Sequence, residues 1–108
     1  MDVRISAKYK AWAKVIKALA HPTRLYIVDA LAHGKPRCVC ELTKLVGNDI
    51  STVSRHLAIL KNAGIIEDER CGTQVFYHLC ISCVPDFLQC VAGMLERNAK
   101  KHRKLMVS

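Results

Sequence analysis

The stretch Ile50-Ser51-Thr52-Val53-Ser54-Arg55-His56-Leu57-Ala58-Ile59-Leu60-Lys61-Asn62-Ala63-Gly64 decides how this chain folds. At about 100° per residue, Ile50, Val53, Leu57 and Leu60 fall on one apolar stripe. Ser51, Thr52, Arg55 and Asn62 fall on the opposite side. That side offers hydroxyls, a guanidinium and an amide, groups suited to phosphates and base edges. Asn48 or Asp49 can cap the start, and Gly64 stops the helix. Alone, this is an ordinary amphipathic helix; its neighbours give it meaning.

Upstream, a short helix is expected over Val39 to Val46, ended by Gly47. Two helices joined by so short a Gly-containing turn carry the helix-turn-helix signature. Earlier still, one helix is expected from Ser6 to Ala20, with Tyr9, Trp12, Ile16 and Leu19 as its stripe. His21-Pro22 ends it, because the residue before proline avoids helical backbone. Pro22 then opens a helix to His33. Downstream of Gly64 the hydrophobic period changes from 3.6 to 2. Ile65 to Arg70 reads as a weak strand and Gln74 to Leu79 as a stronger one, with Cys71-Gly72-Thr73 as the hairpin turn. A hairpin directly after a helix-turn-helix is a wing. Its tip presents Arg70, Thr73 and Gln74 for phosphate or minor-groove contact. The expected fold is mainly α with a small β-hairpin: a winged helix-turn-helix of five helices and a two-stranded wing, forming one DNA-binding domain over residues 1–108.

Charge agrees with that reading. Seventeen Lys and Arg against nine Asp and Glu leave a net charge of +8, which favours a polyanionic partner. The charged start does not open a signal peptide, and no apolar run approaches a membrane span. A cytoplasmic protein with no membrane partner is expected, whose six cysteines are thiols, metal ligands or redox sensors before they are structural disulfides. The last helix is expected from Val84 to Lys101. Phe87, Cys90, Val91, Met94 and Leu95 give it a face too broad for a small domain to cover alone. A homodimer interface built from the first and last helices follows. The basic run Arg97, Lys100, Lys101, Arg103, Lys104 suits a helix end. No nucleophile-base-orienter set and no phosphate loop point to an enzyme.

Four segments carry a family resemblance: A-L-A-H-P-T-R-L-Y-I-V-D-A-L from Ala18, C-V-C-E-L from Cys38, S-T-V-S-R-H-L-A-I-L-K-N-A-G-I-I from Ser51 and G-T-Q-V-F-Y-H-L from Gly72. Together they resemble the ArsR/SmtB family of winged-helix repressors. The resemblance implies a homodimer that binds operator DNA and releases it when an effector binds. It implies that the helix from Ile50 reads the major groove, with Ser51, Thr52, Ser54, Arg55 and His56 as contact positions, and that Arg70 to Gln74 form the wing.

Cys38 and Cys40 are the candidate effector ligands. They lie at the start of the third helix, where a helix N-terminus lowers thiol pKa. Both can reach one soft ion if the backbone there is not yet regular helix. In the resembled family, C-V-C followed by an acidic residue and Leu marks an arsenic, antimony or cadmium site, so As(III), Sb(III) or Cd(II) is the implied effector, with no cofactor needed for DNA binding. Thiolates select such ions over Mg²⁺ or Ca²⁺. This chain departs from the pattern in having Thr43 where many arsenic-responsive members place a third Cys, and no Cys in its N-terminal arm. A third thiolate must then come from Cys71, Cys80, Cys83 or Cys90, with Cys83 and Cys90 the further metal-ligand candidates. Those two are separated by about 10 Å of helical rise, too far to share one ion directly. Asp86, Glu96 and His102 lack the spacing of a last-helix zinc or nickel site. Cys80-x-x-Cys83 lacks the βαβ context of a thioredoxin-like motif and makes a poor zinc ribbon with Cys38 and Cys40. The alternative function is a thiol-redox or persulfide sensor on the same fold, switched by a cysteine disulfide.

Overall fold

The computed structural model describes residues 3–107. The elements run α1 (Val3–Leu19), α2 (Pro22–Ala32), β1 (Arg37–Cys38), α3 (Val39–Val46), α4 (Ile50–Asn62), β2 (Ile66–Cys71), β3 (Gln74–Leu79) and α5 (Cys83–Val107). The fold is the expected winged helix-turn-helix, with one addition. The sheet has three antiparallel strands in the order β1-β3-β2, not two. β1 pairs Arg37 with Tyr77 and Cys38 with Phe76, so the segment entering α3 forms an edge of the wing sheet. A two-residue strand has no periodicity to read.

α4 buries one side. Val53, Leu57 and Leu60 are fully buried, in one cluster with Ile27, Val28, Leu31, Leu42, Ile65 and Ile66. Ile50 corrects the expected stripe: it is 54% exposed. At the first helical position it lies beyond the last layer of the core. Gly47 stops α3 in the left-handed conformation at φ +82, and its N–H donates to the Thr43 carbonyl at 2.9 Å. Only glycine takes that backbone freely. The reversal needs just Gly47, Asn48 and Asp49, which fixes α4 against α3.

At the wing tip Cys71 pairs with Gln74, leaving the two-residue loop Gly72-Thr73. Gly72 has φ +66, and among the described residues only glycines have positive φ. Positive φ at the first central position alone is the pattern of a type II′ turn.

α1 starts earlier than expected, and α5 continues past Lys101 to Val107. Both leave apolar side chains uncovered: Tyr9, Trp12 and Ile16 on α1, and Phe87, Met94 and Leu95 on α5. The accessible surface is 7981 Å², against about 6,000 Å² for a compact monomer of 12.1 kDa. The radius of gyration is 17.1 Å, where a compact chain of this length gives about 13 Å.

Leu57→Ala should destabilise the domain by about 2–5 kcal/mol in urea unfolding, because Leu57 is fully buried and truncation leaves a cavity. Ile50→Ala should fall within roughly 0.5 kcal/mol of the parent, as for other exposed positions.

Candidate nucleic-acid interface and adjoining thiols

α4 begins at Asp49, the N-cap, which has extended backbone. Its carboxylate accepts hydrogen bonds from the Ser51 and Thr52 hydroxyls. Those bonds hold the Asp49 carboxyl below the usual carboxylate range. Ser51, Ser54 and Arg55 are exposed and Thr52 is half-buried. They project from the side of α4 opposite its buried stripe. At the wing, Arg70, Thr73 and Gln74 are all exposed beside the turn. Lys61 at the end of α4 donates to Asp68 of β2 at 3.0 Å, linking the helix to the hairpin.

His56 differs from the other α4 positions. It is half-buried, and its ring lies 4.5 Å from that of His21, centroid to centroid. His21 is itself the N-cap of α2, and its Nδ1 accepts from the Thr23 N–H at 3.1 Å. His56 Nδ1 is buried without a hydrogen-bond partner. Burial first, and then the positive charge of His21, Arg24 and Arg55, pushes the His56 pKa down. His56 is thus a joint between α2 and α4. No sequence signal connects positions 21 and 56, which only the packing brings together.

The paired thiols lie at the other end of the helix-turn-helix. Cys38 is the N-cap of α3, in extended conformation. It is buried, and its Sγ donates to Glu41 Oε1 at 3.5 Å. Cys40 lies one residue inside α3 and is exposed. The backbone at Cys38 therefore meets the condition that it not yet be regular helix. Thr43, at the place of a third cysteine, donates its hydroxyl to the Val39 carbonyl at 2.7 Å. Arg37 pairs with Glu41 at 3.6 Å.

All six cysteines are free thiols, and Cys71, Cys80, Cys83 and Cys90 are exposed. None of these four gathers with Cys38 and Cys40 into a three-ligand group within one protomer. Among the described residues the only cluster of three or more potential ligands is Glu67, His78 and Cys80, whose ligand atoms lie within 4.8 Å of one another. The sequence spacing did not reveal it, because Glu67 reaches the other two only through strand pairing.

A helix-turn-helix followed by a wing, with an exposed polar helix face and a basic chain, defines a DNA-binding transcriptional regulator. The bacterial regulatory protein, arsR family, matches residues 21–68. An HTH-type transcriptional regulator of Methanocaldococcus jannaschii is 37% identical over 84 residues, covering 78% of this chain and 94% of that one. The arsenic resistance transcriptional regulator ArsR1 of Pseudomonas putida is 40% identical over 82 residues, covering 76% of this chain and 61% of that one. A homodimeric winged helix-turn-helix DNA-binding domain from Mycobacterium bovis, described as a possible ArsR-family regulator, superposes with a TM-score of 0.79 at 31% identity, covering 94% of each chain. This chain belongs to the ArsR family. Its relatives are regulators of transcription, not enzymes. Among the described residues no helix is long and apolar enough to cross a membrane.

The His56 environment makes a pH prediction. With its folded pKa below the ordinary value of 6.5, the unfolded chain binds this proton more readily, so stability falls as pH drops below about 6.5. Urea unfolding at pH 5.5 and 7.5 should show this loss, and His56→Gln should reduce the difference.

Proposed function

We propose that this protein is a homodimeric repressor that holds its operator in the effector-free state and lets go when a soft thiophilic ion binds through Cys38 and Cys40. The ion we assign is As(III) or Sb(III), with Cd(II) the next in chemistry. The reading rests on the position of Cys38, at once the strand partner of Phe76 in β3 and the N-cap of α3. An ion that draws the Cys38 and Cys40 sulfurs together must move the buried Cys38 thiol away from Glu41. That displacement loads the wing sheet and the helix-turn-helix together. The similarity to an arsenic resistance regulator supports the choice of ion.

On DNA, α4 lies in the major groove. Ser51, Thr52, Ser54 and Arg55 make the contacts, with the two hydroxyls turning from Asp49 toward phosphate. His56 orients the helix from behind. Arg70, Thr73 and Gln74 hold the wing to the adjacent backbone or minor groove. The uncovered faces of α1 and α5 meet a second copy, which sets two reading helices for two half-sites. The homodimeric relative supports this assembly.

A second reading is release by oxidation, in which two thiols lose two protons and two electrons to an oxidant such as a polysulfide and form a disulfide. The exposure of Cys40, Cys71, Cys80, Cys83 and Cys90 favours it.

Operator binding titrated with arsenite under strict reduction separates the two. The ion reading expects affinity to fall about 100-fold, roughly 3 kcal/mol, and Cys38→Ser to abolish the response. A Cys38→Ser protein that still responds fully would overturn it, and release by polysulfide alone would establish the redox reading instead. Arg55→Ala should weaken operator binding by about 1–3 kcal/mol, with binding of the parent falling steeply with salt. Leu95→Glu should shift the protein from dimer to monomer in sedimentation and weaken operator binding, since it sets a charge in the uncovered face of α5.

A further inference from the structure

The base of the wing carries a ligand set separate from Cys38 and Cys40. Glu67 of β2 and His78 of β3 are directly opposed in the antiparallel register. Opposed residues share a face, with Cβ atoms about 4.5–5.5 Å apart. Cys80 follows His78 by two residues, and two residues along an extended chain return to the same face. The Cys80 N–H donates to the Ile65 carbonyl at 3.0 Å, so the pairing with the β2 side continues to this point. The result is one imidazole, one carboxylate and one thiol with ligand atoms all within 4.8 Å of one another. His78 Nε2 and Glu67 Oε2 are already 3.5 Å apart.

Zinc bonds of about 2.0–2.3 Å at tetrahedral angles place ligand atoms roughly 3.3–3.8 Å from each other. The His78–Glu67 separation lies in that range. The remaining closure needs only rotation of side chains at the surface. Glu67 already contacts both of the others, as the ion-pair partner of His78 and a hydrogen-bond partner of Cys80. A groove whose lining includes Gly34, Lys35, Pro36 and Ser82 runs past two of the three groups, His78 and Cys80.

We propose that Glu67, His78 and Cys80 form a divalent-metal site of zinc class at the base of the wing, independent of the thiols at the start of α3. Imidazole, carboxylate and a single thiolate suit a borderline ion, whereas the paired thiolates of Cys38 and Cys40 suit a softer one. An ion held here ties β2, β3 and the chain leading into α5 at one point, and so stiffens the hairpin from its root.

Cobalt(II) titration of the Cys38→Ser/Cys40→Ser protein tests this site without the other. One cobalt per protomer should bind, with a thiolate-to-cobalt charge-transfer band and the intense visible bands of tetrahedral coordination, and zinc should displace it. Adding Cys80→Ser should abolish the charge-transfer band. Adding His78→Ala, or His78→Gln where the alanine variant loses its circular dichroism, should weaken cobalt binding by at least about tenfold. The proposal is overturned if the Cys38→Ser/Cys40→Ser protein gives no charge-transfer band. It is equally overturned if the band persists with Cys80→Ser, or if binding is indifferent to both His78 variants. None of these results depends on operator release, so failure here leaves the α3 reading intact.

Discussion

The pairing of β1 with β3 is the constraint on which the arrangement of this molecule depends. Two residues, Arg37 and Cys38, carry it. They join the wing sheet to the first turn of α3, and α3 is joined to α4 by a three-residue reversal that Gly47 permits. Lys61 and Asp68 tie the far end of α4 back to β2. Wing, α3 and α4 therefore form a closed mechanical loop. The fully buried Leu42, Leu57, Leu60 and Ile66 fill its inside. A rigid core of this kind transmits displacement instead of absorbing it. A small movement at Cys38 has two exits, one through the sheet and one through the helix pair.

Much of this was legible in the chain. Val39–Val46 and Gln74–Leu79 come out with the expected limits, because a glycine or a change of period bounds each. The helix from Ile50 is right in place and in its three central core residues. Ile50 departs from its stripe because periodicity assigns a face but not the depth of the core along it. β1 escaped because two residues cannot show alternation. α5 runs past its expected end through Arg103 and Lys104, because lysine and arginine are good helix formers even where a charge run resembles a tail.

The candidate sites divide in the same way. Polar positions on α4 and the Cys38/Cys40 pair are local patterns, and locality is what a sequence displays. The His21–His56 contact and the Glu67, His78, Cys80 cluster are products of tertiary pairing. The cluster needed the register of β2 against β3, which the weak alternation of Ile66–Cys71 does not specify. Thr43 shows a finer distinction. Its hydroxyl closes onto the Val39 carbonyl, so the place of a third thiol is taken by a group already bonded to the backbone of α3.

The elongated shape has a thermodynamic consequence of its own. In the dimer proposed above, which covers the exposed faces around Trp12 and Leu95, folding and association are parts of one equilibrium, since a partner that binds only the folded chain stabilises it by mass action. The melting temperature of such a protein climbs as the sample is made more concentrated. Abundance then acts on this regulator twice: through how many copies exist and through how long each copy stays folded.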